Sequence, residues 1–355
     1  MSEKNKIMLR GNDAVIYGAL LAGCDCFFGY PITPANEIAH SAAALFPMLG
    51  RVFLQAESEI AAINMVLGAS SAGRRSITAS SGLGISLKQE GVSYLATMDL
   101  PAVIVDIMRG GPGLGNLGPE QGDYNQVVKG GGHGNYRCIV LAPNSPQEMC
   151  TLTMKAFELA DKYRTPVYVL ADALIGQMIE SVSLPEPVDK KPIPDWATAG
   201  TAKYRKNFIT SIYLDYDDLE QVNIKLQDKY QTIKDNEQLC ESYMTDDAET
   251  VIICYGIVSR IAKSAVNMLR EKGCKAGLLR PMTLFPYPVD EIRRLEKKIS
   301  SFLCIELSNG QMLDDVRLSM KSRIPLHFYS RMGGNLPTEQ DIIKKYLSVQ
   351  DKKND

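Results

Sequence analysis

The chain has 355 residues, 45% of them hydrophobic and 23% charged, which is enough apolar mass for a full core and about two domains of ordinary size. Lysine and arginine number 39 against 41 aspartates and glutamates, so the formal charge of −2 offers no basic surplus for nucleic acid or an anionic membrane. The opening MSEKNKIMLR is charged and has no apolar secretory core, and the longest apolar run, Ala14 to Phe28, is broken by Asp25; a cytoplasmic protein without a membrane span is expected.

In chain order, GNDAVIYGALLAG predicts a helix, with Asn12 as its N-cap and Gly23 as its stop. DCFFGY predicts a buried strand and is followed by the stiff stretch YPITP. RVFLQA predicts a second strand, EIAAINMVLGASSAG a helix of small residues, and RSITAS a third strand. After SGLG a helix is expected from about Ile85, and then PAVIVDIM, almost continuously apolar as a strand covered on both faces should be. CIVLAP precedes a helix that Ser145 caps, with Pro146 at its first position and Glu148 completing a capping box; PVYVLAD follows as a strand. Strands alternating with helices predict a doubly wound parallel sheet of the α/β class over residues 1–185.

Residues 186–248 change character. LPEPVDKKPIPDW is Pro-rich and charged and predicts a linker. Leu219, Val222, Leu226, Tyr230 and Ile233 follow helical spacing and predict one amphipathic helix, packed across the domain junction or against another chain. Residues 249–350 predict a second α/β unit: TVIICYG a strand, VSRIAKSAVNMLREKG a helix, KAGLLRPMTLFP a strand and turn, VDEIRRLEKKI a helix and SFLCIEL a strand. The 8 cysteines are scattered apart from Cys24 and Cys26 and make no CxxC pair. Buried thiols are expected, with no zinc, iron–sulfur or other metal site in this chain.

Gly113, Gly115 and Gly118 match the dinucleotide pattern GxGxxG literally. That pattern works only when a helix starts inside it. Here Pro112 and Pro119 bracket the glycines and EQGDYNQ follows, so a glycine loop over a site, or a packing turn, is the better expectation.

In a doubly wound sheet, ligands bind at the C-terminal ends of the strands. Those ends carry Tyr30, Pro31, Ile32, Thr33 and Pro34; Glu57, Ser58 and Glu59; Ser80, Ser81 and Gly82; and Arg109 with the glycine loop. Thr33 and Pro34 read equally as the cap and first residue of a helix. Glu57 and Glu59 favour a helix start, but the apolar stretch from Ile60 to Leu67 turns Glu59 inward, where a carboxylate needs a partner. Arg109 suits a substrate carboxylate bidentately, or an ion pair with Glu57 or Asp123.

GYPITP, QAESEIAAINMVLGAS, TASSGLG and DIMRGGPGLGN, in this order, resemble the N-terminal domain of the alpha subunit of the 2-oxoacid:ferredoxin oxidoreductases, which depend on thiamine diphosphate; GLLRPMTLFP and IELSNGQ resemble its transketolase-like C-terminal domain. The resemblance implies that 1–185 binds the cofactor's pyrimidine and that 249–350 is the transketolase C-terminal-like unit. It implies that Glu59 hydrogen-bonds the pyrimidine nitrogen and favours the tautomer that removes the thiazolium proton. Thr33 would stand beside the ring and the substrate carbonyl, near the entry of coenzyme A. Tyr30, Pro31, Ile32, Ser81 and Gly82 would line the cofactor, and Arg109 would clamp the 2-oxoacid carboxylate. The chain lacks the GDG of a diphosphate–Mg²⁺ site and the cysteines of an iron–sulfur site. A beta subunit holding diphosphate and Mg²⁺, a gamma subunit and a ferredoxin-like subunit carrying the iron–sulfur clusters are therefore expected partners. The loop RGGPGLGNLGPEQGDYNQ looks like the branched-chain, 2-oxoisovalerate subgroup, and only Lys129 offers a second cation near it. Pyruvate or 2-oxoglutarate as substrate, or a non-catalytic scaffold subunit, are the alternatives.

Overall fold

The computed structural model describes residues 6–189 and 192–351. β1 (Lys6–Arg10) leads into α1 (Gly11–Leu21). The chain then alternates β2 (Cys26–Gly29), α2 (Asn36–Met48), β3 (Val52–Gln55), α3 (Glu59–Ser71), β4 (Ser76–Ser80), α4 (Leu83–Thr97) and β5 (Ala102–Met108). After the glycine loop come α5 (Tyr124–Val128), β6 (Ile139–Leu141), α6 (Pro146–Tyr163), β7 (Pro166–Asp172), α7 (Ala173–Gln177) and β8 (Ile179–Ser183). The amphipathic helix is α8 (Tyr216–Asn236). Beyond it lie β9 (Cys240–Tyr243), β10 (Thr250–Ile253), α9 (Gly256–Glu271), β11 (Ala276–Pro281), β12 (Thr283–Phe285), α10 (Val289–Leu295), β13 (Ser301–Glu306), α11 (Gln311–Ser319), β14 (Leu326–Ser330) and α12 (Glu339–Asp351).

Seven strands form one sheet in the order β12-β6-β7-β5-β4-β2-β3, and five form another in the order β14-β13-β10-β11-β9. Both are parallel except for one antiparallel edge strand each, β12 and β9. The α/β class with a doubly wound parallel sheet is thus observed. Central strands β4, β5 and β7 are buried along their whole length, which explains the mostly apolar sequences of β5 and β7.

Three local expectations are corrected. Asn12 is not an N-cap: β1 runs directly into α1, whose cap is Arg10, and Asn12 Nδ2 instead donates to Pro34 O at 2.7 Å and Glu37 Oε2 at 2.8 Å. Helix α4 starts at Leu83, two residues before Ile85, because Gly82 turns the chain with φ 47°. RPMTLFP is a second strand rather than a turn: β11 stays in the five-stranded sheet while β12 crosses to pair with β6 of the other.

Ser145 caps α6 as expected, its Oγ accepting from Glu148 N at 3.2 Å, but Glu148 does not close the box on Ser145: its Oε2 accepts from Asn144 N at 3.0 Å. Glu148 has a second role across the molecule, taking Nη1 and Nη2 of buried Arg280 at 2.8 Å each. In α8, Leu226, Tyr230 and Ile233 are buried, Tyr230 meets the Phe285 ring edge-on at 6.2 Å, and Lys225 and Lys229 pair with Asp99. The helix therefore packs across the junction, where its apolar stripe finds cover.

Candidate functional site

The ends of β2, β4 and β5 bring the expected rim together. Glu59 is the first residue of α3; Ser58 caps that helix, its Oγ accepting from Ala61 N at 3.1 Å, and Glu57 lies outside it. Capping aims Glu59 inward, and only 6% of it is exposed. Among the described residues no hydrogen bond reaches its carboxylate, whose oxygens are not among the fully enclosed unpartnered atoms and stay open to a donor from a ligand. A Cβ on Gly84 would stand 2.0 Å from Ser80 Oγ and 2.6 Å from Glu59 Oε1, so a glycine is what lets α4 pass this close.

Lys88 lies one turn further along α4, on the buried face with Ile85, Val92 and Leu95. Its ammonium makes one long hydrogen bond, to the backbone carbonyl of Glu59 at 3.4 Å. Burial pulls its pKa down to about 8, against the field of Glu59. The unfolded chain keeps this proton up to 10.5, so folding is penalised in full below pH 8 and the penalty fades as pH rises towards 10.5. Lys88→Met is expected to stabilise the chain by roughly 2–3 kcal/mol at pH 7 and by clearly less at pH 9.5. Denaturant unfolding of both proteins at the two pH values checks this; a pH-independent difference would exclude a buried cation.

Arg109 leaves β5 and links two loops. Its Nη1 donates to Thr33 O at 2.9 Å and its Nη2 to Leu114 O at 3.2 Å. Neither Glu57 nor Asp123 is its ion-pair partner, because backbone carbonyls lie closer to the fork. Three of the five guanidinium donors remain for a ligand. Thr33 is exposed and caps nothing: α2 begins at Asn36 after Ala35, and Thr33 Oγ1 accepts from Asn36 Nδ2 at 2.9 Å. The Thr33–Pro34 peptide is cis. Tyr30 and Pro31 are exposed, Ile32 is half-buried, and Ser81 is buried with a hydroxyl that has no protein partner.

The glycine loop contains no helix start; α5 begins only at Tyr124. It closes on itself through Gly110 N to Gly118 O at 3.0 Å and Asn116 N to Gly110 O at 2.9 Å. Gly115, at φ 56°, leaves 1.7 Å for a Cβ against Gly110 O, so the closure demands a glycine. Asn116 Nδ2 donates to Gly333 O at 3.0 Å, which ties the loop to the C-terminal half. Gln121 strengthens that tie: it exchanges hydrogen bonds with the Leu307 backbone at 2.9 Å in both directions and donates to Tyr255 O at 3.1 Å. Between the two halves lies a cavity of about 920 Å³, walled on one side by Gly82, Arg109, Glu120 and Asp123 and on the other by Ser308 and Gln311. Arg109 is the cation of this wall. Lys129 faces away and pairs with Asp315.

Lys88, Gly84, Asp106 and Asp123 were not singled out as site residues from sequence. Two of them left a signal: Asp106 interrupts the apolar run AVIVDIM, and Lys88 falls on an apolar helix face. Among the described residues no group of three or more His, Cys, Asp or Glu side chains could hold a metal, and no helix is long and apolar enough to cross a membrane.

A buried carboxylate and an arginine at parallel strand ends lie where α/β enzymes bind small ligands. The family model described as pyruvate flavodoxin/ferredoxin oxidoreductase, thiamine diphosphate-binding, matches residues 17–244, and that of pyruvate:ferredoxin oxidoreductase core domain II matches 248–342. The chain belongs to this oxidoreductase family. It is 58% identical to the ketoisovalerate oxidoreductase subunit VorB of Methanothermobacter marburgensis, over 98% of this chain and 99% of that one. A solved 2-oxoglutarate:ferredoxin oxidoreductase from Magnetococcus marinus, with 2-oxoglutarate, coenzyme A and succinyl-CoA bound, superposes with TM-score 0.89 at 28% identity. The match covers 98% of this chain and 66% of that one. A split-gene transketolase shares the fold alone, with TM-score 0.57 at 14% identity over 96% of this chain and 97% of that one.

Proposed function

We propose that this chain is the alpha subunit of a cytoplasmic 2-oxoacid:ferredoxin oxidoreductase. With partner chains it would convert 2-oxoisovalerate or a related branched-chain 2-oxoacid and coenzyme A to acyl-CoA and CO₂, passing electrons to ferredoxin. The observation that carries the reading is Glu59, a carboxylate buried at the start of α3 beside Gly84 and Ser80 that receives no hydrogen bond among the described residues. Thiamine diphosphate, when bound, supplies the nucleophilic carbon and the electron sink. Glu59 offers an acceptor to the edge of the pyrimidine and holds or releases a proton there. Tyr30, Pro31, Ile32, Ser81 and Gly82 line the ring, and Thr33 presents its hydroxyl to the substrate carbonyl where coenzyme A approaches. Residues 1–185 are read as the pyrimidine-type domain, 186–248 as linker and helix, and 249–350 as the transketolase C-terminal-like domain.

The diphosphate half does not fit this chain, which has neither a GDG stretch nor, among the described residues, a cluster of metal-ligating side chains. A beta subunit would hold the diphosphate and Mg²⁺, and gamma and ferredoxin-like subunits would complete the complex and carry the iron–sulfur clusters. Leu114 and Leu117, 78% and 55% exposed on the glycine loop, favour a protein partner over this rim. A single purified chain that oxidises a 2-oxoacid with added thiamine diphosphate would overturn the shared site.

The branched-chain preference is favoured by the 58% identity to the ketoisovalerate relative and by the charge of the cavity wall, where Arg109 faces Glu120 and Asp123. A substrate with a second carboxylate would meet those acids with no second cation from this chain. Rates of the assembled complex should be highest on 2-oxoisovalerate; a clear 2-oxoglutarate preference would reject the assignment. Arg109→Lys should raise KM for the 2-oxoacid by about 10- to 100-fold, because an ammonium cannot hold both loop carbonyls and clamp a carboxylate. Steady-state kinetics decide it, and an unchanged KM would free Arg109 of this role.

A further inference from the structure

Asp106 sits in the middle of β5, beside Ser80 of β4 in the sheet register, and is entirely buried. Among the described residues no N–H or O–H donor meets full hydrogen-bond geometry at either of its oxygens, and the nearby Gly82 amide favours its ionised form only in part. What faces it is a second carboxyl, that of Asp123, which also lines the cavity with Gly82, Arg109 and Glu120 and whose Oδ2 is itself buried without a partner. Two carboxylates enclosed together cannot both stay ionised, and two buried acceptors cannot satisfy one another. One proton removes both difficulties, since it turns one acceptor into a donor.

We propose that Asp106 and Asp123 hold a single proton between them at neutral pH, and that this acid–carboxylate pair positions Arg109 and the Gly82 turn on the substrate rim. The positions of the other charged groups assign the roles. Burial, then the neighbouring carboxyl, drives Asp106 well above the ordinary carboxylate range. Burial also raises Asp123, to about 6; Glu120 adds to the rise, and the Gly82 amide and Arg109 oppose it. Asp106 is thus the acid and Asp123 the carboxylate. Tyr168 of β7 faces Asp106, and Tyr255, ahead of α9, faces both acids; these phenols stay neutral, so Arg109 is the cation that the pair meets. At neutral pH the pair carries one negative charge, whose field acts on a guanidinium that the Thr33 and Leu114 carbonyls hold. With no proton it would repel itself, and with two that field would be lost.

The kinetic part of this proposal rests on the reading of Arg109 as the substrate clamp; the proton itself does not. Infrared difference spectroscopy of the purified protein tests the proton without cofactor or turnover. The wild-type minus Asp106→Asn spectrum at neutral pH should contain the C=O stretch of a protonated carboxyl, and the wild-type minus Asp123→Asn spectrum should not. Absence of that band from the first difference overturns the pair. In the assembled complex, Asp106→Ala should raise KM for the 2-oxoacid at least tenfold with a smaller change in kcat. Asp106→Asn, whose amide N–H replaces the shared proton, should restore most of it. Equal loss in both variants, or no change of KM in either, overturns the positioning role. A wild-type complex inactive on every 2-oxoacid would overturn the functional reading while leaving the infrared result decisive for the pair.

Discussion

Replacing Glu59 with glutamine is expected to leave the complex assembled and to lower its turnover by about 10²- to 10⁴-fold, the usual worth of a positioned general acid–base group. The substitution keeps shape and volume and removes only the charge and the exchangeable proton. Ser58 still caps α3, so the side chain remains aimed inward. No hydrogen bond from a described residue reaches the Glu59 carboxylate, so little folding stability depends on it, and the loss should appear in kcat rather than in yield or melting temperature. Turnover of the reconstituted complex, with sedimentation or size exclusion to check assembly, measures both. An assembled complex with unchanged turnover would leave this chain as a scaffold and remove the catalytic reading.

Gly84→Ala carries the second large effect. The added methyl would stand 2.0 Å from Ser80 Oγ and 2.6 Å from Glu59 Oε1. The Ser80 backbone is held in a strand buried along its whole length, so its hydroxyl must rotate away or the start of α4 or the Glu59 carboxylate must move. Overpacking of this kind costs about 1–3 kcal/mol. A displacement of roughly 1 Å at a reacting group costs about 10²-fold in rate. Gly68 is the control: it lies inside α3, and a Cβ there meets nothing within 4 Å. Gly68→Ala should stabilise by about 0.4–1 kcal/mol through lost freedom in the unfolded chain, with unchanged turnover. Denaturant midpoints and turnover of the two variants test the pair; equal behaviour would mean that α4 tolerates a shift at its first turn.

The inward turn of Glu59 was legible in sequence because it depends on its own neighbours, the apolar stretch from Ile60 to Leu67; the Ser58 cap that aims it appeared only in the structure. The same local rules misread Thr33. Thr-Pro is a good helix start, but Arg109, 76 residues away, takes the Thr33 carbonyl, and α2 begins only at Asn36. Asp106 broke an apolar pattern in plain view, yet nothing within β5 says that it faces Asp123.

Periodicity and punctuation in the sequence thus determined the alternation of strands and helices, the buried character of β5 and β7, the junction helix α8, and the residue types gathered at the strand ends. These follow from interactions over a few residues, where side-chain spacing and backbone freedom set the outcome. Only the tertiary structure decided that β12 leaves its own half to pair with β6, that Asn116 and Gln121 fasten the glycine loop to residues near 333 and 307, and that Arg109 is held by carbonyls rather than by an acid. Those pairings join groups far apart in sequence. Buried donors and acceptors must find partners wherever the packed core places them, and local spacing carries no record of that.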